Sequence, residues 1–191
     1  TYQENVFDSQ MAEHGQIPDE LPSGTLQDAL KIYSGDNNII RDNVFIDWGH
    51  ACVTLDFDAE SNEVYNNVMI GTDETLGTNA HRGFGVNGTS QNNKIHHNYI
   101  KCPIQNQLLG SHPTGGVLSG NEVYYNIIDT TGGGNDNGLS MTATQGGVIS
   151  GNKVYNNVFY GNGDNSIILA IWTDNNPTAR IQNNEIINNI F

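Results

Sequence analysis

The chain has 191 residues, with 21 Asp and Glu against 7 Lys and Arg, and a formal net charge of −14. This balance argues against a nucleic-acid partner, because phosphate backbones require a basic protein face. It also disfavours a polyanionic polysaccharide unless cations bridge the two. The length suits one domain, and no apolar run is long enough to predict a membrane span. Two cysteines, Cys52 and Cys102, are expected as free thiols, which leaves the redox compartment open.

An eight-residue phrase recurs along the chain: Asn, any residue, Val or Ile, two variable residues, Asn, and two large apolar residues. A repeat rich in β-branched residues, without a helical period, predicts a solenoid of strands. Asn tolerates the left-handed backbone region, and its amide can bond to an equivalent amide one coil away. We therefore expect the second Asn of successive copies to form a ladder at one corner: Asn67, Asn98, Asn126, Asn157 and Asn189.

Each coil should contain a third strand after a loop of variable length. Alternation along these strands predicts that Lys31, Gly85 and Ser140 face outward. At roughly 25 to 30 residues per turn the chain makes about six or seven coils. The longest loops, 8–28 and 71–82, precede the third strand of early coils, which places any groove in the N-terminal half.

The phrase resembles that of right-handed parallel β-helix repeat proteins. This superfamily holds pectate lyase-like lyases, polygalacturonase-like hydrolases, alginate epimerases and phage tailspikes. The resemblance covers nearly the whole chain and implies an all-β, right-handed parallel β-helix with an Asn ladder and uneven loops on one side. For members that are enzymes it also implies a substrate groove along one strand of each coil. No specific family is matched, because the motifs that mark the hydrolases and the epimerases are absent.

Polar residues cluster immediately before the third strand in three consecutive coils. Cleavage of a uronate polymer by β-elimination needs a base for the C5 proton, a cation for the carboxylate and a donor to the leaving oxygen. His81 or Lys31 suits the base, Arg82 the cation and Tyr33 the acid; a solvated His–Arg pair without function is the alternative. The candidates for catalysis are Lys31, Tyr33, His50, His81 and Arg82, and those for substrate binding are Asp28, Thr54, Asn87 and Trp48.

Three acidic residues, Asp56, Asp58 and Glu60, crowd one turn. Carboxylate oxygens are ligands that Ca²⁺ prefers, so this turn is a candidate calcium site. An exposed acidic turn without a metal is the alternative. Asp56 and Asp58 also suit the carboxylate separation of a hydrolase, about 5 to 9.5 Å, although the motifs of the hydrolase family are missing. No cofactor other than Ca²⁺ is suggested by the sequence.

The first copy of the phrase is partial, because Asn5-Val6-Phe7 matches only its second half. The last copy ends with Asn189-Ile190-Phe191, the final residues of the sequence. We expect either adjoining polypeptide or other copies of the chain to cover both ends. Two functions follow as alternatives. One is an extracellular carbohydrate-active or carbohydrate-binding β-helix, in one form a polysaccharide lyase-like enzyme. The other is a structural or adhesive solenoid, extracellular or at the cell surface, that stacks end to end into a fibre or is part of a larger surface protein.

Overall fold

The protein is a parallel β-helix without a helix in the part that the structure describes. This computed structural model describes residues 2–3, 6–8, 28–46, 48, 50–71, 82–102, 107–111, 116–131, 138–161 and 169–191. The all-β fold class predicted from the phrase is confirmed. Within these ranges no helix is long and apolar enough to cross a membrane. The long loops predicted at 8–28 and 71–82 lie largely outside the described residues.

The strands are short, most of them three residues long. In chain order they are β1 (Tyr2–Gln3), β2 (Val6–Asp8), β3 (Leu30–Tyr33), β4 (Ile39–Arg41), β5 (Val44–Ile46), β6 (Ala51–Asp56), β7 (Glu63–Tyr65), β8 (Val68–Ile70), β9 (Arg82–Asn87), β10 (Lys94–His96), β11 (Tyr99–Lys101), β12 (Gln107–Ser111), β13 (Val117–Ser119), β14 (Glu122–Tyr124), β15 (Ile127–Asp129), β16 (Leu139–Ala143), β17 (Val148–Ser150), β18 (Lys153–Tyr155), β19 (Val158–Tyr160), β20 (Leu169–Thr173), β21 (Arg180–Gln182) and β22 (Glu185–Ile187).

Four parallel sheets run along the solenoid. Sheet 1 is β1-β4-β7-β10-β14-β18-β22, and sheet 2 is β2-β5-β8-β11-β15-β19. These two sheets are the first and second halves of the repeated phrase. Sheet 3 is β3-β6-β9-β12-β16-β20 and contains the predicted third strands. Sheet 4 is β13-β17-β21, which the sequence analysis did not predict.

Only three coils contribute a strand to all four sheets, so the count of complete turns is smaller than the predicted six to seven. In these coils the chain between sheets 3 and 1 forms a strand, whereas in earlier coils it forms a tight turn. Glu60 and Gln91 continue sheet 4 in the earlier coils only as isolated bridges, from Glu60 to Gln91 and from Gln91 to Ser119. The sequence pattern gave no cue because the phrase itself does not extend into this segment.

The core consists of stacked side chains of like kind, one from each coil. In sheet 2 the inward column is Phe45, Met69, Ile100, Ile128 and Phe159, all at most 2% exposed. Sheets 1 and 3 contribute similar columns, because every strand keeps its register with the strand of the next coil. Both cysteines are buried within this core and neither forms a disulfide, as expected.

The predicted Asn ladder is present. Each side-chain amide Nδ2 donates to the Oδ1 of the Asn one coil further on, at 2.9–3.1 Å, from Asn43 through Asn67, Asn98, Asn126 and Asn157 to Asn189. The backbone N–H of each of these residues donates to the same oxygen, for example from Asn67 to Asn98 at 3.0 Å. The ladder thus satisfies backbone groups that the corner removes from the sheets.

A second ladder, which the sequence analysis left as featureless scaffold, joins the first Asn of each phrase. Its Nδ2-to-Oδ1 bonds are 2.9–3.0 Å long and run through Asn38, Asn62, Asn93, Asn121, Asn152 and Asn184. We expected the ladder Asn itself to take the left-handed backbone region. In both ladders the residue with positive φ is instead the one before it, such as Asp42, Asn66 or His97. The ladder residue keeps ordinary backbone angles because its side chain must point inward to meet its neighbours.

The outer face of sheet 3 is exposed in its first and last coils, at Lys31 and Trp172, and largely buried between them. Gly85 and Ser140 align with Lys31 on this face, as predicted, but they are not exposed to solvent. Over Gly85 the Asn87 amide folds back across the strand, so that Nδ2 lies 3.3 Å from the position a Cβ would take.

Replacement of a ladder residue tests how much the fold depends on these bonds. Asn67→Gly removes an Oδ1 that accepts from the N–H and the Nδ2 of Asn43, and a donor to the Ile40 carbonyl. Buried groups left without partners should lower the free energy of unfolding by about 3 kcal/mol. Asn66→Gly is the matched control, because Asn66 is exposed at φ 53° and glycine accepts that conformation. Chemical denaturation of both variants gives the comparison, and equal losses would contradict the role assigned to the ladder.

Candidate functional site

Asp28 and His50 form an ion-paired dyad where two consecutive coils enter sheet 3. Asp28 Oδ1 lies 2.7 Å from His50 Nδ1 and also accepts the backbone N–H of Ala51 at 3.1 Å. Burial alone raises the pKa of Asp28, but the hydrogen bond and charge of His50 hold the pKa below its ordinary value. The ionised carboxylate can only accept, so His50 Nδ1 donates to it. When the ring carries a single proton, Nε2 is therefore the acceptor, and this side chain is partly exposed.

Arg82 stands beside this dyad in the next coil. Its backbone N–H donates to the His50 carbonyl at 3.0 Å, and its guanidinium interacts electrostatically with Asp28. Burial lowers the pKa of Arg82 from its usual value. Its Nε is buried without a hydrogen-bond partner, and among the described residues it makes no ion pair within 4 Å. A largely desolvated guanidinium in this state is a binding group for an anion.

The floor between the coils carries two further buried polar atoms that form no hydrogen bond of good geometry, Thr54 Oγ1 and Asn87 Oδ1. The Thr54 side chain still interacts with the Asp28 carboxylate and helps to lower its pKa. Thr54 aligns with Lys31 on one side and Gly85 on the other. The absence of a side chain at Gly85 leaves the Asn87 amide lying across the strand. Buried polar atoms without partners are rare in folded proteins, and three of them within β6 and β9 call for a specific explanation.

Lys31 lies above this floor and points toward the other end of the strands. Its Nζ forms an ion pair with Asp56 Oδ2 at 2.7 Å and sits 5.7 Å from the centre of the Tyr33 ring. Hydrogen bonding to Asp56 raises the pKa of Lys31. A lysine held as a cation in this way is a poor base, so the structure does not favour Lys31 as the group that removes a proton.

The site has two ends, separated by the length of a strand. Arg82 begins β9 and Asn87 ends it, so the two are about 16 Å apart at 3.3 Å per residue. Asp28, His50 and Arg82 form the entry end. Tyr33 and Asp56, which are paired in register, lie beside Asn87 at the exit end. Tyr33 is therefore too far from the entry end to act with a base there, whereas Lys31, one of the two bases considered for it, lies beside its ring. The role of Tyr33 as the acid stays a prediction.

One other predicted residue lies outside the site, and another falls outside the described residues. Trp48 is 1% exposed and packs in the hydrophobic core, so it cannot stack on a sugar ring as predicted. An aromatic residue just before a third strand looked outward in the sequence, but the corner turns it inward. His81, the other candidate base, lies outside the described residues.

The acidic turn does not form a calcium site in the described part of the chain. No group of three or more His, Cys, Asp or Glu side chains there could hold a metal ion. Asp56 pairs with Lys31, the Asp58 carboxylate accepts the Thr89 hydroxyl, and Glu60 Oε1 accepts Asn92 Nδ2 at 3.1 Å. Three different partners draw the carboxylates apart, which accounts for the difference from the prediction.

Three tyrosines and one histidine stack on one another along sheet 1. Tyr65, His96, Tyr124 and Tyr155 form a column of nearly parallel rings with centroids 4.6–5.0 Å apart. His96 Nε2 also lies 2.9 Å from Glu63 Oε1. Neighbouring rings cover the ring faces within this column, so it is a feature of the scaffold.

Comparison of the chain with protein-family models, with curated proteins and with solved structures gave no match. The site therefore stands on its own residues.

His96 makes the stability of this column dependent on pH. Burial holds its pKa below 6.5, so the unfolded chain takes up a proton at a higher pH than the native protein does. Stability is fully present above about pH 6.5 and is lost as the pH falls through the lowered pKa. His96→Tyr, which makes the column uniform, should lose less stability than the wild type on acidification from about pH 8 to pH 5. Tyr155→Phe changes the column without touching His96 and should retain the wild-type response; an identical response of His96→Tyr would contradict the assignment.

Proposed function

We propose that this protein binds a uronate-containing saccharide along sheet 3, with a carboxylate at the entry end, and acts on it as a polysaccharide lyase-like enzyme. The observation that carries the proposal is the Arg82 guanidinium, which is largely buried and has no ion-pair partner within 4 Å in the described chain. A planar carboxylate matches the paired donors of a guanidinium better than any other common anion except phosphate. The uronate carboxylate would occupy this place.

The Asp28–His50 dyad supplies the base for such a reaction. His50 Nε2 takes the proton from C5 of the uronate, and the electron pair forms the C4–C5 double bond as the C4–O4 bond breaks. Arg82 stabilises the negative charge that develops on the carboxylate, and solvent water protonates the leaving oxygen. Asp28 is a positioning residue, because it fixes the ring orientation and stabilises the imidazolium without touching substrate.

The net charge of −14 opposes a polyanion at long range but does not decide local binding. Screening over about 8–10 Å at physiological salt weakens the repulsion from distant carboxylates. Within the site, Asp28 is paired with His50 and Asp56 with Lys31. The charge that remains for a ligand at the entry end is the one on Arg82. An extracellular location of the protein, where such polysaccharides occur, is part of the proposal.

Binding of galacturonate and mannuronate oligomers, measured by calorimetry, tests the entry end. Arg82→Ala should weaken binding by about ten- to hundredfold, because a charge-assisted hydrogen bond contributes about 1.5–3 kcal/mol. Arg82→Lys should restore part of the affinity. The ultraviolet absorbance of the unsaturated product reports elimination, which His50→Gln should abolish while leaving binding intact. Folded protein that binds no uronate oligomer would refute the proposal.

The alternative function, end-to-end stacking of copies, is favoured by one observation. Ile171, Ile186 and Phe191 are 50%, 38% and 60% exposed, although the equivalent residues one coil earlier are at most 2% exposed. These side chains form an apolar end face bordered by the unpaired edges of β20, β21 and β22. Another copy that continues the sheets there would bury them.

Sedimentation velocity over a range of protein concentrations tests this alternative. The wild type should form larger species as concentration rises, and Ile186→Lys should suppress them because its side chain points into the end face. Ile187→Lys is the matched control, since Ile187 is 45% exposed on the outer face of the same strand. A wild type that remains monomeric, or equal effects of the two variants, would contradict stacking.

A further inference from the structure

The corner after sheet 3 imposes a left-handed backbone on one residue in each of the first three coils. Ser34, Phe57 and Gly88 occupy this place, with φ of 53°, 58° and 70°. Serine accepts the conformation at modest cost and glycine at none, whereas a bulky aromatic residue is disfavoured there. The Phe57 carbonyl is held by Thr89 and Ser90, so the backbone cannot relax. Phe57 is therefore the poorest choice for its position on conformational grounds.

The Phe57 ring does not compensate through burial. It is 47% exposed, and its one ring contact in the described chain is with Tyr33, which is 57% exposed. The two ring centroids are 4.2 Å apart with planes tilted by 40°. Two large aromatic side chains thus meet on the surface at the exit end of the site, beside the Lys31–Asp56 pair. A residue that is strained and exposed is retained more readily for contact with a ligand than for the fold.

The polar groups next to this pair complete an amphipathic surface. Asp56 aligns with Tyr33, and the Asn87 amide carries an acceptor oxygen that lacks a donor. Such a surface suits a ligand whose apolar C–H face packs on the aromatic rings while its hydroxyl groups donate to the neighbouring acceptors. Sugar rings present both kinds of group. The opposite end of the site, about 16 Å away along the strand, offers the donors of Arg82 instead.

We propose that the Tyr33–Phe57 pair is a sugar-stacking platform, and that the bound saccharide lies across the coils, parallel to the strands, with a carboxylate at Arg82. This inference rests on the proposed function. The distance from Arg82 to Asn87 spans more than one sugar ring, whereas the groups without partners occupy only two adjacent coils, about 4.8 Å apart. The long dimension of the site therefore follows the strands, and several sugar units are needed to reach both ends.

Phe57→Asn separates a ligand-binding role from a structural one. Asn is at home in the left-handed region, so the variant should unfold at the same or a higher denaturant concentration than the wild type. Its affinity for long oligouronates should fall about tenfold, while its affinity for the monosaccharide uronate, held by Arg82 alone, should not change. Tyr33→Ser should reproduce the loss of affinity for long oligomers.

Tyr125→Asn is the matched control, because Tyr125 is an exposed aromatic residue at φ 53° on the opposite corner of the solenoid. It should bind oligouronates of every length as the wild type does. If Phe57→Asn binds long oligomers as tightly as the wild type, the platform is refuted and binding at Arg82 stands. If the wild type binds neither the monosaccharide nor the oligomers, the proposed function fails and the platform fails with it.

Discussion

The hydrogen bonds of the two Asn ladders are the constraint on which the rest of the solenoid depends. Strands of three residues form few backbone hydrogen bonds with the neighbouring strands. Each corner between sheets 1 and 2 also leaves backbone groups without a partner in the sheets. Every ladder Asn returns partners to these groups through one side chain, at distances of 2.9–3.1 Å. The amides align only if every coil repeats the same eight-residue phrase, and the scaffold therefore permits no insertion there.

Variation in coil length is consequently confined to the rest of the circuit. Successive residues of the first described ladder are 24, 31, 28, 31 and 32 positions apart. The differences fall in the segments between sheets 2 and 3 and in the strand of sheet 4. Sheet 3 borders these segments, and its strands reach six residues where those of sheets 1 and 2 have at most three. Its strands are thus the ones with room for side chains that the fold does not require.

The eight-residue phrase made the fold predictable because it specifies a local structure and repeats in every coil. The site depended on the directions in which individual side chains point, which one sequence does not specify. The ladder at Asn67 and Asn98 and the grouping of Asp28, His50 and Arg82 followed from position within the coil. Trp48 was misplaced because a corner decides whether a side chain points in or out. The distance from Tyr33 to Asp28, His50 and Arg82 was not evident in the sequence, because proximity along the chain conceals the length of β3 and β9. Phe57 was overlooked, although an aromatic residue among polar turn residues was visible in the sequence.

The departures from what this scaffold requires are concentrated in one place. Across both ladders the amides are satisfied, and Tyr125, which is also strained, packs against His97, Tyr124 and Tyr155. In contrast, Thr54, Arg82 and Asn87 carry buried atoms without a hydrogen bond of good geometry, and Phe57, as strained and as exposed as Tyr125, has Tyr33 as its one ring partner in the described chain. Each of these features lowers the stability of the fold, and no contact within the described chain compensates for it. A repeat protein can correct such positions by adopting the residue used in a neighbouring coil, as Ser34 and Gly88 illustrate. The unfavourable residues Thr54, Arg82, Asn87 and Phe57 occur together on or beside adjoining strands of one sheet. A ligand that supplies the missing contacts explains this grouping.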